Sequence, residues 1–303
     1  MTTAHLYSNF CPFFSVSDLD EYQMFFGNHS AITFEKLTSL KKYKAAQWLQ
    51  SHEVGWRDYL HNQDEWFAKA GQGNFRAILW GEINYPENLK TIAYPPSILF
   101  VVGDDSILHK PSVAIVGSRS PTQLGRLWIE NVMPNLIREG LIISSGGARG
   151  IDSEAHTEAV KARGKTIVFL PGGVDRPYPR SNQFLFDEIV QSGGLLISEF
   201  PPGTQVRAEN FFRRNRLIAG ASDVVAIVEA GHKSGTMLTA KCAYDENKTV
   251  LVVPGPPMIA SYAGSLQLLF EGAQLLRDAS DIIRAVKEKN ALIKSKESPT
   301  VGA

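Results

Sequence analysis

Along residues 112–254 the chain alternates short β-branched apolar runs with stretches of helical length. The runs fall at 113–117, 141–145, 165–170, 195–200, 223–229 and 249–254. Each is too short and too uniformly apolar for an amphipathic helix, and suits a strand buried on both faces. Strands alternating with helices predict an α/β class, with a doubly wound, mainly parallel sheet. Right-handed crossovers then bring every strand C-terminus to one edge. Glycine-rich polar segments follow the runs, so they gather at that edge, where such sheets bind ligands. Pro134 lies within the first crossover helix and predicts a kink or a shortened helix.

The flanks read differently. Residues 1–74 are rich in aromatics, with Leu37, Leu40, Tyr43, Ala46, Trp48 and Leu49 on one broad helical face. They predict a small helical N-terminal domain. Residues 75–111 mix short apolar runs with Tyr-Pro and Pro-Pro pairs and predict a connector packed on the α/β domain. The main domain is assigned to 112–290, closing with helical stretches near 264–273 and 278–289. The polar residues 291–303 predict a disordered tail.

Composition narrows the chemistry. Lys+Arg and Asp+Glu are equal at 31 each, so an anionic partner has to be met by a local patch and not by the field of the whole molecule. Cys11 and Cys242 are far apart and have no metal-ligand spacing, which predicts no metal site and a reduced, cytoplasmic chain. The N-terminus lacks a basic segment followed by a long apolar core, and no apolar run reaches membrane-spanning length. Neither a signal peptide nor a membrane partner is expected.

Four segments carry the candidate chemistry. GSRSPT offers Gly117 for close approach, Ser118 for hydrogen bonding and Arg119 as a fork of donors, with Thr122 able to cap the next helix. SGGARGID repeats the design with Gly147 and Arg149; Asp152 reads as an N-cap, with His156 one turn on. Between Arg207 and Arg216, cations (Arg207, Arg213, Arg214, Arg216) interleave with Phe211 and Phe212, the combination that grips phosphates and stacks unpaired bases. One ring of this segment is expected in the core, with Phe211 the exposed one, and one arginine can instead pair with Glu199 or Glu229. Lys233, Ser234, Gly235 and Thr236 open a further helix after a strand and form another anion cradle. That loop lacks the GK[ST] ending of a nucleotide triphosphatase, and the dinucleotide fingerprint is not evident either.

These blocks, with YPRSNQFL at 178–185, SEFPPG at 198–203, FFRRNRLIAGAS at 211–222, SGTMLTAKCA at 234–243 and Pro254-Gly255, resemble in content and order the DNA-processing protein A (DprA/Smf) family. The resemblance implies an extended Rossmann-like domain that binds single-stranded DNA and has no catalytic residues and no cofactor. It also implies homodimerisation, and delivery of incoming single strands to a RecA-type recombinase during natural transformation. The implied DNA-contacting set is Gly117, Ser118, Arg119, Gly147, Arg149, Arg207, Phe211, Arg213, Arg214, Asn215, Arg216, Lys233, Ser234, Gly235 and Thr236. Leu266, Leu268, Leu269, Phe270, Leu275 and Leu276 are the apolar candidates for the dimer contact. The competing enzymatic reading is a LOG-like nucleotide phosphoribohydrolase. Against it, PGGVD lacks the Gly-Thr of that family's loop, and Thr239 stands where its glutamate is needed.

Overall fold

A computed structural model describes residues 75–297 apart from Ser97. The helical domain expected over 1–74 lies outside the described residues. At the centre of the sheet β3 (Ser112–Gly117) pairs in parallel with β4 (Ile142–Ser145) and, on its other side, with β7 (Val224–Glu229). Beyond β4 come β5 (Thr166–Phe169) and β6 (Leu195–Ser198), and beyond β7 comes β8 (Thr249–Val252), all parallel. These six strands are the six apolar runs. The chain steps from β3 outward through β4, β5 and β6, then crosses back to β7, so its direction of winding reverses beside β3. Loops on either side of such a reversal part and leave a crevice at the carboxyl edge.

The sheet is wider than six strands. Residues 75–111, expected as a connector, supply β1 (Arg76–Leu79) and β2 (Ile98–Gly103), the latter antiparallel to β6 and the former antiparallel to β2. A two-residue strand, β9 (Gln274–Leu275), adds in parallel to β8, giving the order β1-β2-β6-β5-β4-β3-β7-β8-β9. Between β1 and β2 lies the single turn α1 (Glu87–Lys90).

Alternation along each strand feeds two layers. Ala114 and Val116 of β3 and Val225 and Ile227 of β7 face α5 (Ala208–Ala221), α6 (Gly235–Asp245) and α7 (Ala263–Phe270). Val113, Ile115, Val224 and Ala226 face α2 (Gln123–Arg138), α3 (Ile151–Lys161) and α8 (Ala279–Glu297). A third cluster under α4 (Gln183–Gln191) joins Phe186 and Ile189 to Phe100 and Leu196. Two helices run further than the sequence suggests. Pro134 does not shorten α2, whose 16 residues continue to Arg138 because Val132, Met133 and Leu136 anchor both sides of the proline in the core. The last helix likewise continues to Glu297, past the residue at which a disordered tail was expected to begin.

Candidate nucleic-acid interface

The loops at the carboxyl edge are locked to one another before any ligand is considered. The Ser118 amide donates to the Glu229 carbonyl at 2.7 Å, and the Ile151 amide donates to the Ser118 carbonyl at 3.0 Å. This approach requires glycine. A Cβ on Gly150, whose φ is 83°, would lie 2.3 Å from the Ser118 oxygen, and one on Gly117 would meet the Ile151 side chain at 2.6 Å. Thr122 caps α2 as expected, accepting from the Gly125 amide at 3.3 Å. Its hydroxyl donates to Glu229 Oε2 at 2.8 Å and its amide to the same oxygen at 3.0 Å. Tyr262 Oη lies 3.2 Å from the Thr122 hydroxyl. Glu229 is fully buried (0% exposed), so this carboxylate serves as an internal clasp on the loop that carries Arg119.

Asp152 does not cap the helix it begins. It is buried, and Oδ2 accepts from the amides of Gly146 at 3.2 Å and Ala148 at 3.4 Å, fastening the glycine loop that precedes α3. Burial pushes its pKa up, and Arg214 partly offsets that. His156, one turn along, is wholly buried, with Nδ1 2.7 Å from the Thr166 hydroxyl. The Thr166 hydroxyl in turn donates to the Ile143 carbonyl at 2.6 Å, so the imidazole Nδ1–H is the donor of the pair. Desolvation lowers the His156 pKa to about 3, which keeps the ring neutral.

Between the β3–α2 loop and the start of α6 opens a cavity of about 420 Å³. Ser118, Arg119 and Ala148 form one side, Gly231, Ser234, Gly235 and Thr236 the opposite side, and Phe211, Arg214, Asn215 and Ile218 of α5 the wall between them. Arg214 is 5% exposed and held mainly by neutral acceptors: the Gly146 carbonyl, the Phe169 carbonyl at 2.9 Å and Asn215 Oδ1, which accepts from Nε at 3.1 Å. These contacts fix the guanidinium without cancelling its charge. Desolvation lowers its pKa to about 10, against the favourable field of Asp152, so it remains cationic at neutral pH. At the mouth the Arg119 guanidinium lies 5.5 Å from the centroid of the Phe211 ring, and Arg214 lies 5.7 Å from it. Tyr178 meets the same ring edge-on at 6.0 Å.

The sequence-predicted residues therefore separate. Gly117, Ser118, Arg119, Phe211, Arg214, Asn215, Ser234, Gly235 and Thr236 come together around the cavity. Arg149, Arg207 and Lys233 are exposed on neighbouring loops and do not line it, and Gly147 is buried against Val168 and Phe186. Arg213 and Arg216 turn away to share one buried carboxylate: Arg213 Nε lies 3.3 Å from Glu199 Oε1, and Arg216 pairs with Glu199 Oε2. Helical geometry explains the division, since Phe211, Arg214, Asn215 and Ile218 recur at spacings of three and four on the face turned to the cavity. Neither phenylalanine enters the core, as one was expected to. Phe211 is half-buried in the cavity wall and Phe212 is the more exposed ring, at 53%. Tyr178 and Ser261 were missed. Tyr178 lies in YPRSNQFL as an aromatic before proline, and only the fold brings it to Phe211. Of the apolar residues considered for a dimer contact, Leu268 and Leu276 belong to the core, whereas Phe270 and Leu275 are exposed. Among the described residues no cluster of His, Cys, Asp or Glu could hold a metal ion, and no helix is long and apolar enough to cross a membrane.

The molecule is thus a doubly wound α/β protein whose loops, glycines and cations converge on a crevice at the switch point of its sheet. Residues 76–287 match the family described as DNA recombination-mediator protein A. The chain belongs to this family, the DprA/Smf proteins. It is 35% identical over 237 residues to protein Smf of Synechocystis, covering 77% of this chain and 59% of that one. It is 37% identical over 207 residues to the DNA processing protein DprA of Bacillus subtilis, covering 68% of this chain and 69% of that one. The crystal structure of DprA from Streptococcus pneumoniae superposes with a TM-score of 0.76 at 30% identity, over 92% of this chain and 95% of that one. DprA from Helicobacter pylori, whose structure is described for its unique single-stranded DNA binding mode, gives a TM-score of 0.62 at 32% identity, over 73% of this chain and 96% of that one.

Proposed function

We propose that this chain binds single-stranded DNA at the cavity and its rim, without catalysing a reaction on it. The observation that carries the reading is the cluster at the mouth: Phe211, flanked by Tyr178 and crossed by Arg119, standing over the buried charge of Arg214. A ring face beside exposed cations accepts an unstacked base and its phosphate together, whatever the sequence. A base inside a duplex offers no face to such a ring. The single-stranded DNA binding described for the Helicobacter pylori relative supports the same reading. Among the described residues Asp152 is the one carboxylate lining the cavity, and its commitment to two loop amides favours binding over glycosidic hydrolysis.

The wider role we propose follows the family: a cytoplasmic homodimer that protects single strands and loads a RecA-type recombinase in DNA uptake. Phe270, 94% exposed, and Leu275 are apolar residues available to such a dimer. Gel shifts with mixed-sequence oligonucleotides at about 0.1–0.2 M salt test the core of the proposal. Single strands are expected to bind more tightly than duplex, and equal affinity would contradict it. Light scattering that finds a monomer at micromolar concentration would remove the dimer.

A further inference from the structure

The α6 side of the cavity has features that gripping a passing strand does not require. Helix α6 starts there, and Ser234 at its N-cap position makes no side-chain cap; the Met237 amide donates to the Ser234 carbonyl at 3.1 Å, which leaves the amides of Gly235 and Thr236 for a ligand. Gly235 has open space where a Cβ would sit, so a ligand can reach the main chain. Side chains around this point are also unpartnered. The hydroxyls of Ser234 and Ser261 are buried without a hydrogen-bond partner, and both residues line the cavity. Thr239, 3% exposed and one turn along α6, also lines it and brings a third hydroxyl. Buried hydroxyls are normally satisfied, so a group left open at a helix N-terminus marks a place for an acceptor. Arg119 at the mouth supplies a cation.

We infer that this side of the cavity takes the phosphate monoester of a nucleoside 5′-phosphate, either at the 5′ end of a strand or as a free nucleotide. The inference rests on the proposed DNA-binding reading of the same site. A monoester presents three terminal oxygens and close to two negative charges, enough acceptors for several hydroxyls, helix amides and an arginine at once. An internal phosphodiester presents two free oxygens, and its chain has to leave in two directions. Val116, Ile218 and Thr239 of the lining are buried, so part of the wall is closed, which suits a group attached on one side. With the phosphate at the start of α6, the nucleoside extends towards the mouth and Phe211. The volume of about 420 Å³ falls within the range of small-ligand pockets.

The test uses the full chain and two oligonucleotides of one sequence, labelled at the 3′ end, one 5′-phosphorylated and one ending in a 5′-hydroxyl. Fluorescence anisotropy should show the phosphorylated strand binding about tenfold more tightly, as extra charge-assisted hydrogen bonds require. Deoxyadenosine monophosphate should displace it where deoxyadenosine and inorganic phosphate do not. Thr239→Val, a swap of similar volume, should bring the ratio between the two strands towards one, and Thr239→Ser should restore it. Preference between the strands without nucleotide competition assigns the site to strand ends; competition without preference assigns it to free nucleotide. Equal binding of both strands with no displacement by the nucleotide overturns the inference, as does a preference or a nucleotide competition that Thr239→Val leaves at its wild-type strength. If the 5′-hydroxyl strand fails to bind while the nucleotide binds, the proposed function falls and this inference stands.

Discussion

Within one turn of α5, arginines in nearly identical sequence surroundings do different work. Arg214 faces the cavity and is fixed by main-chain carbonyls, so its positive charge projects towards a ligand. Arg213 and Arg216 face the other way and are occupied by Glu199, which is fully buried. Arg119, from a different loop, completes the cavity side as an exposed cation over Phe211. The contrast shows that a cluster of cations in sequence is not a cluster of ligands. A buried ion pair holds its element in place, because either partner left alone would be an uncompensated charge. A cation held by neutral dipoles, or left at the rim, still has its charge to offer.

Removing the shared acid should produce the largest effect. Glu199→Gln removes the carboxylate charge that Arg213 and Arg216 share, and breaking a buried pair in this way costs about 3–5 kcal/mol. A large fall in thermal midpoint is expected, and an unchanged melting curve would show that the pairing is not structural. Phe211→Ala should act on binding, with single-strand affinity weakened by roughly 1–3 kcal/mol, the range for one stacked base. Because Phe211 is only half-buried, the melting curve should move far less than in Glu199→Gln. A comparable loss of stability would place the ring in the core after all.

His156 sharpens the comparison from the buried side. Its folded pKa, about 3, lies below the unfolded value of about 6.5, so the unfolded chain takes up the proton first as pH falls. The contribution of the neutral ring is therefore complete above about pH 6.5 and is lost progressively towards about pH 3. Between pH 7 and pH 5 this amounts to on the order of 2 kcal/mol. Denaturant melts of the wild type and His156→Gln at both pH values check it. The substitution should flatten the difference, and an equal pH dependence in the two proteins would assign the acid sensitivity elsewhere.

Much of the scaffold was legible because its signals are local. Six uniformly apolar runs bounded by polar turns have few solutions other than strands buried on both faces, and each became a parallel strand. The edges were harder to read. β1 has only Ile78 buried, prolines break the segment between β1 and β2, and β9 is two residues long, so their pairing is set by the sheet already present. The site divided in the same way. Glycines whose missing Cβ lets two loops touch, such as Gly117 and Gly150, could be read from loop chemistry. The commitments of charged groups could be read only in part: an arginine paired with Glu199 or Glu229 was expected, but that two arginines share Glu199 depends on partners distant in sequence. Glu199 meets arginines more than a dozen residues away, Glu229 clasps Thr122 across the switch point, and Asp152 turns back to its own loop instead of capping a helix. Periodicity places a side chain on a face of its helix; only the packed fold shows what it meets there.

The smallest expected change belongs to Arg119, and it is also the most direct test of the division between buried pairs and open rim. Single-strand affinity should be measured across a range of salt concentrations for the wild type, Arg119→Ala and Phe211→Ala. If Arg119 neutralises one phosphate, its removal should lower the slope of log affinity against log salt by roughly 0.7, with the melting curve unchanged. Phe211→Ala should lose affinity with the slope intact. Equal slopes in Arg119→Ala and the wild type would contradict the account, because the rim cation would then make no contact with the strand.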